Sequence, residues 1–412
     1  MTKCRTWRPN RRDRPVTSVL AFRLRRSLVV AAVAALALAL LLATGGRGTS
    51  DRALPTAPAA ATVGTYTPVT GAIFNRPVGT ATEQRRIFTH VNRTIDSAPA
   101  GSTIRIAVFS FSEKVTADKL LAAKRRGVNV QLVFDDHIVS SQMKRLRAAL
   151  GRNPAYRSFV VYCHLSCRGT GGNMHDKIFT FSKAGSAENI TMIGSNNMTS
   201  YNATRQWSDI YTIVNDPAMY FTVSGVFDQL KLDKARSRSY YQSDVNGYQA
   251  QFYPYSNASQ YVDPLYLALS KVTCTGAAPG TGVNGQTLVR LSQHAWNGNR
   301  GIYLARKVAE LQSQGCVVQV IYGVGVGTTV KSMLTRAGVQ MRANSKRGIR
   351  THQKVLSVGG VYDGKPDAQV VFTGSSNWSD GALKRDETVL RISDPVAYGQ
   401  YAQNFEDIWN NG

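Results

Sequence analysis

The chain has 412 residues, enough for two or three domains with real hydrophobic cores, which excludes a peptide hormone or a small disulfide scaffold. Hydrophobic residues make up 43% and charged residues 18%, and the 35 glycines follow no three-residue period, so an acidic disordered chain and a collagen are excluded too. Lys and Arg number 50 against 25 Asp and Glu; residues 1–52 hold 11 basic and 2 acidic groups, leaving 39 against 23 and a net charge of +16, a balance that favours polyanions without choosing among nucleic acid, anionic lipid and surface polymer.

The first 26 residues carry nine basic side chains, from Lys3 to Arg26, and an apolar run of 16 residues follows from Leu28 to Ala43. That run is shorter than the roughly 20 residues that span a bilayer, and the small-residue segments ATGG and APAAA come after it. Residues 1–46 therefore read as a cleaved signal peptide, and the protein as secreted, with the export route left open by Arg25-Arg26. A Pro/Ala/Thr-rich linker follows over 47–70. Without Cys4, four cysteines remain, and an even number outside the cell predicts two disulfides: Cys163 with Cys167 in the CHLSC segment, and Cys274 with Cys316. The rival reading of Cys163, His164 and Cys167 as metal ligands lacks a second Cys/His cluster, so no metal is assigned.

From residue 71 the chain runs twice through one order of elements, over an N-terminal half at 71–235, a connector at 236–248 and a C-terminal half at 249–412. Phe74-Asn75-Arg76-Pro77 opens the first pass and Phe252-Tyr253-Pro254 the second. The strands IRIAVFSF from Ile104 and LVRLSQHAW from Leu288 each lead to a helix and a second strand, in RRGVNVQLVFDD and SQGCVVQVIYGV. This alternation predicts an α/β fold of two duplicated βαβ-type halves with mixed sheets packed around one central site. MHDKIFTFS from Met174 then matches THQKVLSVG from Thr351, and ITMIGSNNMTS from Ile190 matches VVFTGSSNWSD from Val370. The histidines lie 177 residues apart and the Gly-Ser pairs 180 apart, so the repeat spacing is nearly constant.

These residues resemble the phospholipase D superfamily, marked by two copies of His-x-Lys-x4-Asp with a following Gly-Ser-x-Asn. His175, Lys177, Ser195 and Asn197 match the first copy; His352, Lys354, Ser375 and Asn377 match the second. The motif's Asp falls at Ser182 and Gly359; the resemblance implies that this Asp shapes a turn and does not attack phosphorus.

Cleaving a phosphodiester requires a compact nucleophile, neutralisation of the non-bridging oxygens and a proton for the leaving alcohol, and two His-Lys-Asn sets provide all three. By resemblance, His175 is the nucleophile that forms a phosphohistidine, and His352 the general acid and then base. Lys177 and Lys354 hold phosphoryl oxygens, Asn197 and Asn377 donate amide hydrogen bonds, and Ser195 and Ser375 orient them at the substrate. Asp209 and Glu387 stand where the family keeps an acid that receives a histidine Nδ1 proton; Asp386 reads as exposed. Trp378, next to Asn377, is expected to line the pocket, and His294 to approach it. The aromatic run Tyr240 to Tyr266 is read as packing between the halves.

The leading expectation is a secreted, monomeric phospholipase D that needs no cofactor and hydrolyses phosphatidylcholine-like lipids at a membrane surface. Two alternatives stand: an extracellular nuclease, for which nucleic acid is the partner and the charge of +16 argues, and a non-catalytic phosphate-binding relative.

Overall fold

The apolar, β-branched runs of both repeats become strands of two mixed sheets in the computed structural model, which describes residues 63–344 and 348–411. The leader and most of the linker lie outside the described residues. Among the described residues, no helix is long and apolar enough to cross a membrane.

The first half supplies β1 (Gly71–Phe74), β2 (Thr103–Val108), β3 (Asn129–Asp135), β4 (Phe159–Cys163), β5 (Lys177–Ala184), β6 (Ala187–Gly194), β7 (Gln206–Trp207) and β8 (Asp209–Ile213). Seven of these form a sheet in the order β1-β8-β6-β5-β2-β3-β4, with β2, β3 and β4 parallel and the other neighbours antiparallel. The second half supplies β9 (Tyr241–Val245), β10 (Tyr248–Phe252), β11 (Val272–Thr273), β12 (Leu288–Asn297), β13 (Val317–Val326), β14 (Gln340–Ala343), β15 (Arg350–Thr351), β16 (Lys354–Tyr362), β17 (Lys365–Gly374), β18 (Trp378–Ser379) and β19 (Thr388–Ser393). Its sheet runs β14-β13-β12-β16-β17-β19-β10-β9, which reproduces the first order strand for strand and adds β9 at the edge. The connector expected at 236–248 thus contains a strand: β9 pairs antiparallel with β10 around the turn Asn246-Gly247.

The strands that carry the motifs are buried on both faces, as continuous apolar runs such as KIFTF and KVLSV require. One face of each sheet packs on its own half's helices, giving separate cores around Ile106, Leu132 and Phe179, and around Leu291, Val320 and Leu356. Opposite faces meet in a third cluster, where Ile178 and Ile193 join Val355, Val371 and Leu390. The helices Pro217–Leu230 and Pro395–Asn411 contribute Met219, Val223, Ala397 and Tyr401 to this seam. Burial of these side chains contributes roughly 1.5–3 kcal/mol each, so the seam is a core and not a loose contact.

The two positions that lack the motif Asp have ordinary local roles. Ser182 Oγ accepts from the Thr103 amide at 2.9 Å. Gly359 lies so near Tyr398 that a Cβ there would stand 2.2 Å from the phenol oxygen, so a larger residue would have to displace that side chain. The longer second hairpin closes through Asp363-Gly364, both at positive φ, in the pattern of a tight two-residue turn. Both expected disulfides are present, Cys163–Cys167 and Cys274–Cys316.

Candidate active site

The two motif histidines lie at the seam because each motif segment pairs with the opposite half. β15, just before His352, runs parallel to β7, and the His352 amide donates to the Trp207 carbonyl at 2.8 Å. In the first motif, Met174 bridges Asp386 and the His175 amide donates to the Asp386 carbonyl at 3.0 Å. Asp135, at the end of β3, accepts from the Met174 amide at 3.0 Å and fixes the approach to His175.

His175 Nδ1 lies 2.9 Å from Glu387 Oε2, so an acid of the second half orients a histidine of the first. Ser375 Oγ donates to the same oxygen at 2.5 Å, and the Thr388 amide donates to Ser375 Oγ at 3.0 Å. With Nδ1–H held by Glu387, the Nε2 lone pair is left for chemistry. The ring of Phe109, at the end of β2, packs 5.0 Å from the His175 ring.

His352 is held differently. Its Nδ1 lies 2.9 Å from the Ser195 carbonyl and its ring 4.7 Å from that of His294. Asp209, expected to take this proton, does not reach it. Its carboxylate accepts from Ser195 Oγ at 2.5 Å, from Tyr401 at 2.9 Å and from Thr373. Asp has one methylene fewer than Glu, and among the described residues both oxygens of Asp209 are held by hydroxyls, Oδ1 by Ser195 and Oδ2 by Tyr401 and Thr373.

Both serines thus serve the carboxylates. The expected substrate-binding role of Ser195 and Ser375 is replaced by the task of fixing Asp209 and Glu387, each wholly buried, in place. Trp378 is a further correction: it packs on Trp296 at 4.6 Å between centroids inside the second core, because β18 pairs parallel with the end of β12 and turns the indole inward. Asp386, expected at the surface, is fully buried and accepts from the Cys167 and Arg168 amides at 2.6 and 3.2 Å. Tyr240 stacks on Tyr255 and meets Tyr253 edge to face against the second core, so this part of the aromatic run packs within that half and not between the two.

Lys177 and Lys354 are buried, and each Nζ donates to the carbonyl of its own histidine, for Lys354 at 2.5 Å. Asn197 Oδ1 accepts from the Ser110 amide at 3.3 Å, leaving its amide group to donate, and Asn377 Oδ1 has no partner among the described residues. Asn377 sits in a rigid loop: Arg300 donates to its carbonyl at 3.2 Å and pairs with Asp263 through contacts of 2.8 and 3.1 Å.

Burial, with the charges of Lys177 and Lys354, holds His175 well below the usual imidazole value; burial and Lys354 do the same to His352, so both rings are neutral in the empty site. Burial lowers Lys177 to about 7, although Glu387 opposes this, and drives Lys354 down further with help from Lys177. Burial pushes Glu387 up to about 8 while Lys177 and Ser375 pull it back. Two buried amines, two neutral imidazoles and a buried carboxyl group, all with displaced proton affinities and gathered at one place, mark a candidate catalytic site.

The other histidines divide as their surroundings dictate. His90 is buried between Tyr66 and Thr212, and His164 is exposed beside Asp136. Among the described residues, the single cluster with metal-ligand atoms close together is Cys163, Cys167 and Asp233, where the thiols are already joined to each other.

Residues 91–231 and 298–409 match the family model described as "Cardiolipin synthase, PLD-like domain". The chain belongs to this phospholipase D-like family. Among solved structures it is similar to phosphatidylserine synthase from Haemophilus influenzae Rd KW20, with 11% identity, 82% of this chain and 86% of that one covered, and a TM-score of 0.55. It is also similar to polyphosphate kinase from Porphyromonas gingivalis, at 12% identity and a TM-score of 0.52 over 83% of this chain. The match spans half the length of that kinase. No curated protein matches the sequence. These likenesses share the fold of two sheet-bearing halves; phosphodiesterase-type chemistry comes with the family.

Sequence reasoning missed Phe109, Asp263 and Arg300. Phe109 was open to discovery, since it occupies the repeat position of His294: their amides donate to Asp176 and Gln353 carbonyls at 3.1 and 3.0 Å. The Asp263–Arg300 pair left no such signal, because its partners belong to different elements.

Proposed function

We propose that the protein is an exported, monomeric phospholipase D-type enzyme that cleaves the head-group phosphodiester of glycerophospholipids through a phosphohistidine. The observation that carries this reading is the pairing of His175 with Glu387 across the seam, beside a second neutral histidine and two buried lysines.

His175 Nε2 attacks phosphorus as the bond to the head-group oxygen breaks. His352, protonated once the substrate's negative charge offsets the lysines, gives its Nε2 proton to that oxygen. Water then loses a proton to His352 and attacks the phosphohistidine, releasing phosphatidate and neutral His175. Lys177, Lys354, Asn197 and Asn377 hold the non-bridging oxygens, whose charge is greatest as the bonds exchange. Each half supplies one histidine, one lysine and one asparagine, so a monomer completes the site. The basic leader and its short apolar run support export.

The test incubates protein from about residue 53, with EDTA, with phosphatidylcholine vesicles and separately with plasmid DNA, using His175→Ala as control. Choline release that disappears in the variant is the expected result. Nicking of DNA without choline release moves the assignment to a nuclease, and activity at the wild-type level in His175→Ala refutes the mechanism.

A further inference from the structure

The site holds one cation that neither motif accounts for. Arg385 lies two residues before Glu387 in extended backbone, with φ −96° and ψ 159°. Side chains alternate along such a segment, and this one follows the rule: Asp386 turns to the Cys167 and Arg168 amides, while Glu387 turns to His175. Arg385 therefore leaves the backbone on the histidine side. Its guanidinium lies over Gly381, with the carbon 3.5 Å from where a Cβ of that residue would stand, and its charge acts on His175, Lys177, Lys354 and Glu387.

The fold does not demand a cation here. At the matching position of the first half, two residues before Asp209, stands Trp207, fully buried beside Ile321, Ile349 and Phe405. Arg385 is half-buried and, among the described residues, has neither a hydrogen-bond acceptor nor an ion-pair partner, whereas the buried Arg168 and Arg300 are fully engaged with theirs. A guanidinium whose charge acts on two lysines, and which makes no direct contact with a carboxylate among the described residues, adds positive potential that a ligand with more than one negative group would meet.

We propose that Arg385 is the specificity residue of this site and binds a second anionic group, a carboxylate or phosphate carried on the lipid head group beyond the scissile phosphodiester. The assignment rests on the lipid phosphodiesterase reading proposed above and names its substrate class: head groups with an anion are preferred to those with a cation alone. Planar, bidentate capture of a carboxylate or phosphate is what arginine does better than lysine.

Phosphatidylserine and phosphatidylethanolamine differ by one carboxylate, and their dihexanoyl forms, used below the micelle concentration, avoid vesicle-surface charge. The readout is the ratio of kcat/KM for the serine lipid to that for the ethanolamine lipid. Wild-type protein is expected to give a ratio of about ten, the worth of one charge-assisted contact. Arg385→Ala lowers both rates and brings the ratio to about one; Arg385→Lys lies between. Phosphoserine and phosphoethanolamine, as inhibitors of the wild type, give the same comparison without a variant, and phosphoserine is expected to bind tighter. A ratio unchanged in Arg385→Ala, or equal inhibition by the two phosphomonoesters, overturns the assignment and leaves the proposed function standing. Cleavage of neither lipid by the wild type overturns the proposed function and this assignment with it.

Discussion

Shortening Glu387 by a single methylene tests the central contact of the site. Glu387 Oε2 is 2.9 Å from His175 Nδ1, and Asp at this position withdraws the carboxylate by about one C–C bond, about 1.5 Å. The separation becomes about 4.4 Å, beyond any hydrogen bond, while a carboxyl group stays in the seam. A charge-assisted hydrogen bond contributes about 1.5–3 kcal/mol, so Glu387→Asp is expected to lower kcat/KM by roughly 10- to 150-fold. Glu387→Gln keeps the reach, removes the charge, and falls in the same range. The assay is steady-state release of head group from short-chain lipid, with far-ultraviolet circular dichroism to establish that the variants are folded. If Glu387→Asp retains activity within threefold of wild type, orientation of His175 by this carboxylate is refuted. Asp209 already has the shorter side chain and does not contact His352, so Asp209→Asn is expected to cost less activity than Glu387→Gln.

Three further outcomes concern stability. Asp263→Asn leaves Arg300 as an unpaired buried charge and is expected to cost about 3–5 kcal/mol in guanidinium chloride unfolding, with activity falling because Arg300 also holds the Asn377 carbonyl. The Cys274–Cys316 bridge closes a loop with a sequence separation of 42, and its loop-closure entropy is worth about 4 kcal/mol; the separation of 4 in Cys163–Cys167 gives about 2 kcal/mol, so Cys274→Ala/Cys316→Ala should destabilise more than Cys163→Ala/Cys167→Ala. Burial holds His90 down at about 4 against an ordinary imidazole value of about 6.5, so the unfolded chain binds the extra proton between those values. The stability it contributes is full above pH 6.5 and falls by about 3 kcal/mol as pH drops through about 4. His90→Gln is expected to flatten that slope in urea titrations at pH 4 to 7, and an unchanged slope would show that His90 takes up its proton without unfolding.

Much of this was legible along the chain because the repeat is a local property seen twice. Strand periods, the His-x-Lys and Gly-Ser-x-Asn pairs and their constant offset fix the element order and the two-half architecture, since each strand needs only its own apolar pattern to form. Disulfide pairing was accessible for the same reason: four cysteines, two of them within one short segment, leave few choices. Roles set by distance were not accessible. Trp378 beside Asn377 looks like a pocket residue until β18 turns it onto Trp296, and Asp386 looks exposed until the amides of Cys167 and Arg168 close on it.

The sequence by itself determined two α/β halves, their motif residues and a cationic chain with an export-like leader. Only the tertiary structure decided that Glu387 serves His175 across the seam, that Asp209 is satisfied by Tyr401 and Thr373, and that the charge of Arg385 acts on the lysines. The reason is geometric: strand patterns act over a few residues, whereas His175 and Glu387 are 212 positions apart and meet only when two independently formed sheets dock. A difference of one methylene between Asp and Glu then selects the contact, and no periodicity in a sequence encodes a distance of that kind.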